Sequence, residues 1–487
     1  MIAASLRARR PRPIGILATA LLVAAGTLLA GWSGLGGRST SPVPGDAAAV
    51  PARAPGGAAA TPGPVPIPGA GVTVLPSGSL ARLDRNIRAW TLNLTANPQD
   101  FLSATNLATL YQGRARLSGD LADHERALEA VRVALALAPD HAAARALEAS
   151  IRYSLHDFRG ALAAADALYR GDPAQLGALA TRADAAMELG DVSAAADDLD
   201  VLRAAAPGPA VEVRLARLRF LSGDLEGAVE AARLAREAAA AGPSDDLGFY
   251  EYALGEYARL AGDAATARAG YEAALEAWPG DLGARIGLAR TLAFEGDLDG
   301  AIAALAAVVA AAPLPEAEAL LGDLLLARAD DASRRGAERA ADRARADVAH
   351  DTVRLTSTLS ALAGSVFDRQ LLLFALDHDE PTEALLEATR KGAAARPDAA
   401  GRELVGWALY RLGRVDEAWI EVEAARAAGG ADARTLFHAG AIALARGDAV
   451  VAADLLDRAL ALGPALDPAE RDEAARLRAG IEAGLRG

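Results

Sequence analysis

Along most of the chain, apolar and small residues alternate with polar turns at a fixed interval. Pro139, Pro173 and Pro207 stand 34 residues apart, as do Pro279 and Pro313. Between the prolines, small residues recur at two registers. One holds Ala149, Ala183, Ala216, Gly255, Ala289 and Gly440; the other holds Ala161, Ala195, Ala228, Ala267, Ala301 and Ala452. A small side chain at each register lets two antiparallel helices approach closely. Gly190-Asp191, Gly223-Asp224, Gly262-Asp263, Gly296-Asp297 and Gly447-Asp448 fall between the registers. There glycine ends one helix in a left-handed conformation and aspartate caps the next. The proline closes the second helix, because it has no amide to donate and restricts the residue before it. A period of this length predicts a solenoid of stacked helix pairs, each burying its apolar face against its neighbours.

Registered this way, the units run over residues 101–139, 142–173, 176–207, 209–241, 248–279 and 282–313. The period then lapses. Residues 320–327 read as a first helix, whereas 328–354 form an Ala-rich stretch studded with Arg and Asp and lacking the Gly-Asp turn. That composition predicts a longer, solvent-exposed helix. The repeat resumes loosely from Phe367 to Pro397 and then clearly through Gly406-Trp407-Ala408-Leu409-Tyr410, Gly413 and Ala418. Residues 467–485 read as an amphipathic capping helix, with 80–94 as its counterpart at the other end. The predicted division is an N-terminal block over 80–327, an irregular helical connector over 328–366 and a C-terminal block over 367–487.

Residues 254–279 show the unit most fully: Leu254-Gly255, Gly262-Asp263, Ala267, Tyr271, Ala274 and Pro279. This pattern resembles the tetratricopeptide repeat. The resemblance implies an all-α, right-handed α-solenoid of antiparallel helix pairs that binds other proteins without catalysis. It further implies an inner groove lined by the first helix of each pair. In this chain the groove positions include Arg217, Phe220, Phe249, Tyr252, Glu256, Arg290, Trp407 and Tyr410, the candidate partner-binding residues. Rings beside arginines suit an extended peptide or a partner helix. The same rings also suit packing between neighbouring helices, so both roles stay open. The Lys and Asn pairs by which some related domains clamp a terminal carboxylate are missing from these positions.

The front of the chain is of a different kind. Arg7, Arg9, Arg10 and Arg12, in a basic segment over 1–12, precede an uncharged apolar stretch over 13–31. This matches a transmembrane anchor or a signal peptide. With the arginines retained in the cytoplasm, an anchor places the remaining body outside the cytoplasmic membrane on a single pass. A cleaved signal, giving a secreted protein, is the alternative. Residues 32–79, rich in Pro, Gly and Ala, predict a disordered linker that buries too little to fold.

Charge narrows the range of partners. The net charge is −14, and the six arginines and one aspartate of residues 1–78 leave the rest more acidic still. An acidic body disfavours nucleic acid. Cysteine is absent, which excludes disulfides and thiolate metal sites. Lys391 is the single lysine among many arginines, a composition that points to a GC-rich bacterial genome.

The search for chemistry finds little. The six histidines are scattered, with no His-Glu-x-x-His motif, no nucleophile elbow and no phosphate-binding loop. Asp377-His378-Asp379-Glu380 falls at an inter-helix turn, where acidic caps are expected. Hence no catalytic residue, metal site or small-molecule cofactor is predicted, and the expected partner is a protein. The rival expectation is an enzyme or a carbohydrate- or peptide-binding module using the groove. That rival requires convergent carboxylates or a histidine–carboxylate pair on neighbouring repeats.

Overall fold

The prolines end helices as expected. In the computed structural model, which describes residues 79–118, 121–242, 246–362 and 368–486, helices finish at Leu137, Gly171, Ala205, Ala277, Ala311 and Ala395. Each end lies two residues before a proline. The intervening residue is extended at Asp172, Trp278 and Ala312, the conformation a following proline imposes.

The elements in order are α1 (Ser79–Ala96), α2 (Phe101–Ser118), α3 (Leu121–Leu137), α4 (Ala142–Ser154), α5 (Phe158–Gly171), α6 (Leu176–Glu188), α7 (Val192–Ala205) and α8 (Pro209–Leu221). They continue with α9 (Leu225–Ala240), α10 (Leu247–Leu260), α11 (Ala264–Ala277), α12 (Leu282–Phe294), α13 (Leu298–Ala311), α14 (Pro315–Asp330) and α15 (Gly336–Leu362). The last are α16 (Arg369–His378), α17 (Glu383–Ala395), α18 (Ala399–Arg411), α19 (Val415–Ala427), α20 (Ala433–Ala445), α21 (Ala449–Ala461) and α22 (Pro468–Arg486). Helices α2 to α21 pair consecutively as antiparallel hairpins, with α1 and α22 flanking them. The described residues are all-helical and form the expected α-solenoid.

The Gly-Asp turns have the predicted geometry. Gly190, Gly223, Gly262, Gly296 and Gly447 all have positive φ. The Asp191, Asp224, Asp263 and Asp297 side chains accept from the backbone N–H three residues on, satisfying one orphan donor of the next helix. Asp448 stands at the same place without that bond. The pair α4/α5 turns instead through His156, the one non-glycine with positive φ among the described residues, followed by the capping Asp157.

The region expected to be an exposed connector is built differently. Helix α15 is long, as predicted, but it packs along α14 as the second helix of a pair. Its buried stripe is Asp342, Ala346, Ala349, His350, Val353, Thr356 and Ser360. The helical spacing is regular, yet the stripe holds only one large aliphatic residue, which is why it reads as solvated. Arg328 on α14 bonds Asp342 at 2.6 Å, so the charges that suggested a surface are partly spent inside the pair.

The two blocks of the array lie alongside each other. A Cβ added to Gly190 would stand 2.7 Å from the Pro397 carbonyl oxygen, and one added to Gly262 would stand 3.2 Å from the Ala461 carbonyl oxygen. Gly429, at φ +104°, sits against the Leu221 carbonyl so closely that an added Cβ would collide with it. Turns at 190, 223 and 262 thus meet turns near 397, 429 and 462, so three successive turns of one block face three successive turns of the other. Arg259 donates to the Pro464 carbonyl at 3.3 Å, and Arg290 bonds Asp467 at 2.9 Å.

Among the described residues, no helix is long and apolar enough to cross a membrane. The apolar segment 13–31 and nearly all of the predicted linker 32–79 lie outside the described residues. So do Phe367 and the join at residues 243–245.

Candidate functional site

The inner-face residues singled out from the sequence fall into two groups. Arg217, Phe249, Tyr252 and Glu256 are buried, and Phe220 is half-buried against the same core. Arg217 donates to Glu188 at 2.5 Å and to the Tyr153 hydroxyl at 3.2 Å. Glu256 pairs with Arg259 at 2.6 Å and accepts from the Tyr271 hydroxyl at 2.5 Å. Beside them Arg214 bonds Asp184 at 2.9 Å with both side chains enclosed. Helix α17 of the second block completes this face, since Arg396 at its end lies over the Phe158 ring at 5.3 Å and forms an ion pair with Glu188. The contact is one of charge more than alignment, because Glu188 Oε2 and Arg396 Nε make no hydrogen bond. Burial pushes the Glu188 carboxyl up, but the Arg217 and Arg396 guanidiniums outweigh it and hold it well below the usual carboxylate range.

Arg290, Trp407 and Tyr410 belong to the second group. They line a cavity of about 390 Å³ enclosed by α12, α14, α16, α18, α20 and α22. One wall is aromatic. Trp407 stacks on His438 at 3.7 Å and on Tyr410 at 4.9 Å, with Phe437 at 5.9 Å, and its indole N–H donates to Asp377 at 2.8 Å. The remainder is ionic. Arg290 reaches Glu316 at 2.6 Å and Asp467 at 2.9 Å, while Arg434 reaches Glu470 at 2.6 Å. Burial opposes ionisation of Asp467, but Arg290 and Arg434 hold it below its ordinary range. Burial prevails at Glu470, which is pushed up. Oε2 of Glu316 is buried and accepts no hydrogen bond. Six carboxylates, Glu473 included, line the cavity against three guanidiniums.

The fold also brings together residues that the sequence pattern keeps apart. Asp323 on α14 accepts contacts from two rings through one oxygen: His350 Nε2 on α15 at 3.1 Å and His378 Nε2 on α16 at 2.8 Å. The three ligating atoms lie within 4.8 Å of one another. Burial opposes a charge on His378, but Asp323 raises its pKa. Asp377, Asp379 and Glu380 do not join this cluster: Asp377 turns to Trp407 and Asp379 to Arg354. The histidines stand 28 residues apart in sequence, on different helices, so no local motif could announce them.

Residues 258–324 match the tetratricopeptide repeat family model. The matched segment contains α11, α12 and α13 complete. No curated protein matches the chain. Among solved structures, a thermophilic tetratricopeptide protein of Thermus thermophilus is 20% identical, over 40% of this chain and 99% of that one, with a TM-score of 0.35. A tetratricopeptide repeat protein from Parabacteroides merdae is 16% identical over 53% of this chain and 99% of its own, with a TM-score of 0.37. Yeast Tom70 is 14% identical over 79% and 96%, with a TM-score of 0.33.

Proposed function

We propose that this chain is a non-catalytic protein-interaction scaffold whose docking surface is the cavity between the two blocks, taken by a partner segment carrying a basic side chain. One observation carries the reading. The rings of Trp407, Tyr410 and Phe437 share a cavity with Glu316, whose buried Oε2 has no partner. An incoming arginine or lysine would satisfy that oxygen while its stem and neighbours pack on the rings. Arg217, Phe249, Tyr252 and Glu256 drop out of the docking surface in this reading, since they are spent on internal partners; Arg290, Trp407 and Tyr410 remain in it.

Peptide arrays probed with the full chain test the proposal. Basic peptides bearing an aromatic residue are expected to bind, less so at high salt, and Tyr410→Ala is expected to weaken them about tenfold. Equal retention of acidic and basic peptides would remove the cavity as the docking surface.

A second reading, an enzyme or a carbohydrate- or peptide-binding module, is favoured by one observation. The cavity gathers convergent carboxylates and a histidine–carboxylate pair from separate repeats, the arrangement such a site requires. Against it, Asp467 and Glu470 are tied to arginines. Turnover of a glycoside or peptide substrate that disappears in Glu316→Gln would replace the scaffold with this reading.

We place the body on the outer side of a bacterial cytoplasmic membrane, tethered through residues 13–31. The four arginines ahead of an uncharged stretch support this orientation. Fractionation with N-terminal sequencing checks it: a mature start near Gly31 or Trp32 would replace the tether with a cleaved signal.

A further inference from the structure

We propose that Asp323, His350 and His378 form a binding site for a divalent transition-metal ion, best matched to Zn²⁺, at the edge of the cavity. The inference is independent of the scaffold reading.

Hydrogen bonding is the first support. The Nδ1 of His378 lies 3.1 Å from the Phe374 carbonyl oxygen. A carbonyl only accepts, so Nδ1 carries the proton and donates. In the neutral ring this leaves the lone pair on Nε2, which faces the Asp323 carboxylate oxygen at 2.8 Å. A lone pair set against an anionic oxygen at that distance repels unless positive charge lies between them. A backbone carbonyl fixing the far nitrogen is also the usual outer-shell partner of a metal-bound histidine.

The second support is placement. The three side chains come from three helices, so the fold and not a local turn assembles them. His378 is held by stacking on Phe374 at 4.4 Å, and His350 meets both rings edge-on, at 5.4 Å from Phe374 and 4.6 Å from His378. Gly322 makes room, since a Cβ there would collide with the His350 ring at its Nε2. The donors are therefore pre-positioned on packed elements.

Donor chemistry selects the ion. Two imidazole nitrogens and one carboxylate oxygen suit Zn²⁺ and its late first-row neighbours, and suit Ca²⁺ or Mg²⁺ poorly. Tetrahedral ligands about 2 Å from zinc stand roughly 3.3 Å apart, so the two distances from Asp323 to the histidines need to open by only a few tenths of an ångström, with the two Nε2 atoms within 4.8 Å of each other. Asp323 and His378 also line the cavity, which gives an ion a way in. It also leaves a fourth position facing that space, as three-ligand zinc sites do.

The test uses the full chain stripped with EDTA and titrated with Zn²⁺ against a chromophoric chelator, with Co²⁺ as a spectroscopic probe. The expected result is one equivalent of Zn²⁺ bound, with the strong visible absorption of four-coordinate Co²⁺. His378→Ala and Asp323→Asn should each weaken binding about 100-fold with helical circular dichroism kept. His141→Ala, just ahead of α4, should leave it unchanged. Gly322→Ala, which displaces a ligand without removing one, should also weaken it. Should a variant fail to fold, X-ray absorption on the zinc-loaded wild type decides by counting two imidazoles. A wild type without saturable binding, or with binding indifferent to His378 and Asp323, overturns the proposal and leaves a cluster held by a proton only.

Discussion

On the inner face of α4 to α10, Arg214, Arg217 and Arg259 each meet a carboxylate and are buried. On the inner face of α14 to α20, Trp407, Tyr410 and Glu316 border open space. Both faces use arginines, acids and rings at groove positions of first helices. The difference lies in how the surplus is spent. In the first block every arginine named has an internal acid, and the end of α17 brings Arg396 to Glu188. Around the cavity the acids outnumber the arginines, and Glu316 Oε2 is left without a hydrogen bond, whereas Glu188 Oε2, which also lacks one, stands in an ion pair with Arg396. Residue type at a groove position therefore does not make a binding surface; an unsatisfied group facing a cavity does.

The comparison breaks most directly at Glu188. Glu188→Ala would leave Arg217 and Arg396 buried without a counter-charge, and stability to urea should fall by roughly 3–5 kcal/mol. The pH dependence carries the same information. The folded-state pKa of Glu188 is depressed, so its contribution is complete above the unfolded value of about 4.5 and is lost as pH falls below it. The variant should lack this part of the wild-type acid loss. An unchanged urea midpoint would mean that the first inner face is wet and open like the second.

Next in size is the seam between the blocks. Gly429→Val places a branched side chain at positive φ and against the Leu221 carbonyl, a cost of about 2–3 kcal/mol. X-ray scattering should show a larger radius of gyration, because the seam opens before either block unfolds. If the wild-type dimensions survive, the blocks are held by something other than this close approach. Arg290 would then be the next residue to replace, since it bonds both Glu316 and Asp467.

Much of this architecture is legible in the sequence, and the exceptions are physical in origin. The turns, caps and closing prolines depend on residues within a few positions of one another, so the pattern from 142 to 313 predicts them. The role of α15 is hidden because its buried stripe is made largely of Ala, Thr, Ser, His and Asp, which carry little hydrophobic signal. The Asp323–His350–His378 cluster and the seam at Gly429 are illegible for a different reason. Their partners are set by how helices stack, and the seam joins residues about two hundred positions apart, a relation that no local pattern encodes.

Tyr410 separates the faces by function instead of stability. It is only half-buried and has ring contacts on one side, so Tyr410→Ala should shift the urea midpoint little while weakening basic-peptide binding about tenfold, or about 1.4 kcal/mol. Tyr252→Ala, in the first block, should do the reverse, with a loss of roughly 3 kcal/mol in stability and no separate effect on binding. Matching losses in both variants would collapse the distinction between the two faces.

The smallest expected difference is in the turns. Asp263 caps α11 by accepting from Thr266 N–H at 3.0 Å, whereas Asp448 begins α21 with no such bond. Asp263→Ala should therefore cost about 1 kcal/mol and Asp448→Ala only a few tenths. Both aspartates follow a left-handed glycine, so turn geometry is matched; the cap bond is missing at Asp448, whose side chain meets Arg446 at 3.3 Å instead. Hydrogen exchange at the first amides of α11 and α21 gives the local reading: fast exchange is expected at α21 in the wild type, and at α11 only after Asp263 is replaced. Equal costs for the two substitutions would mean that the aspartate acts through its charge at the helix N-terminus, which both positions share, and not through the cap.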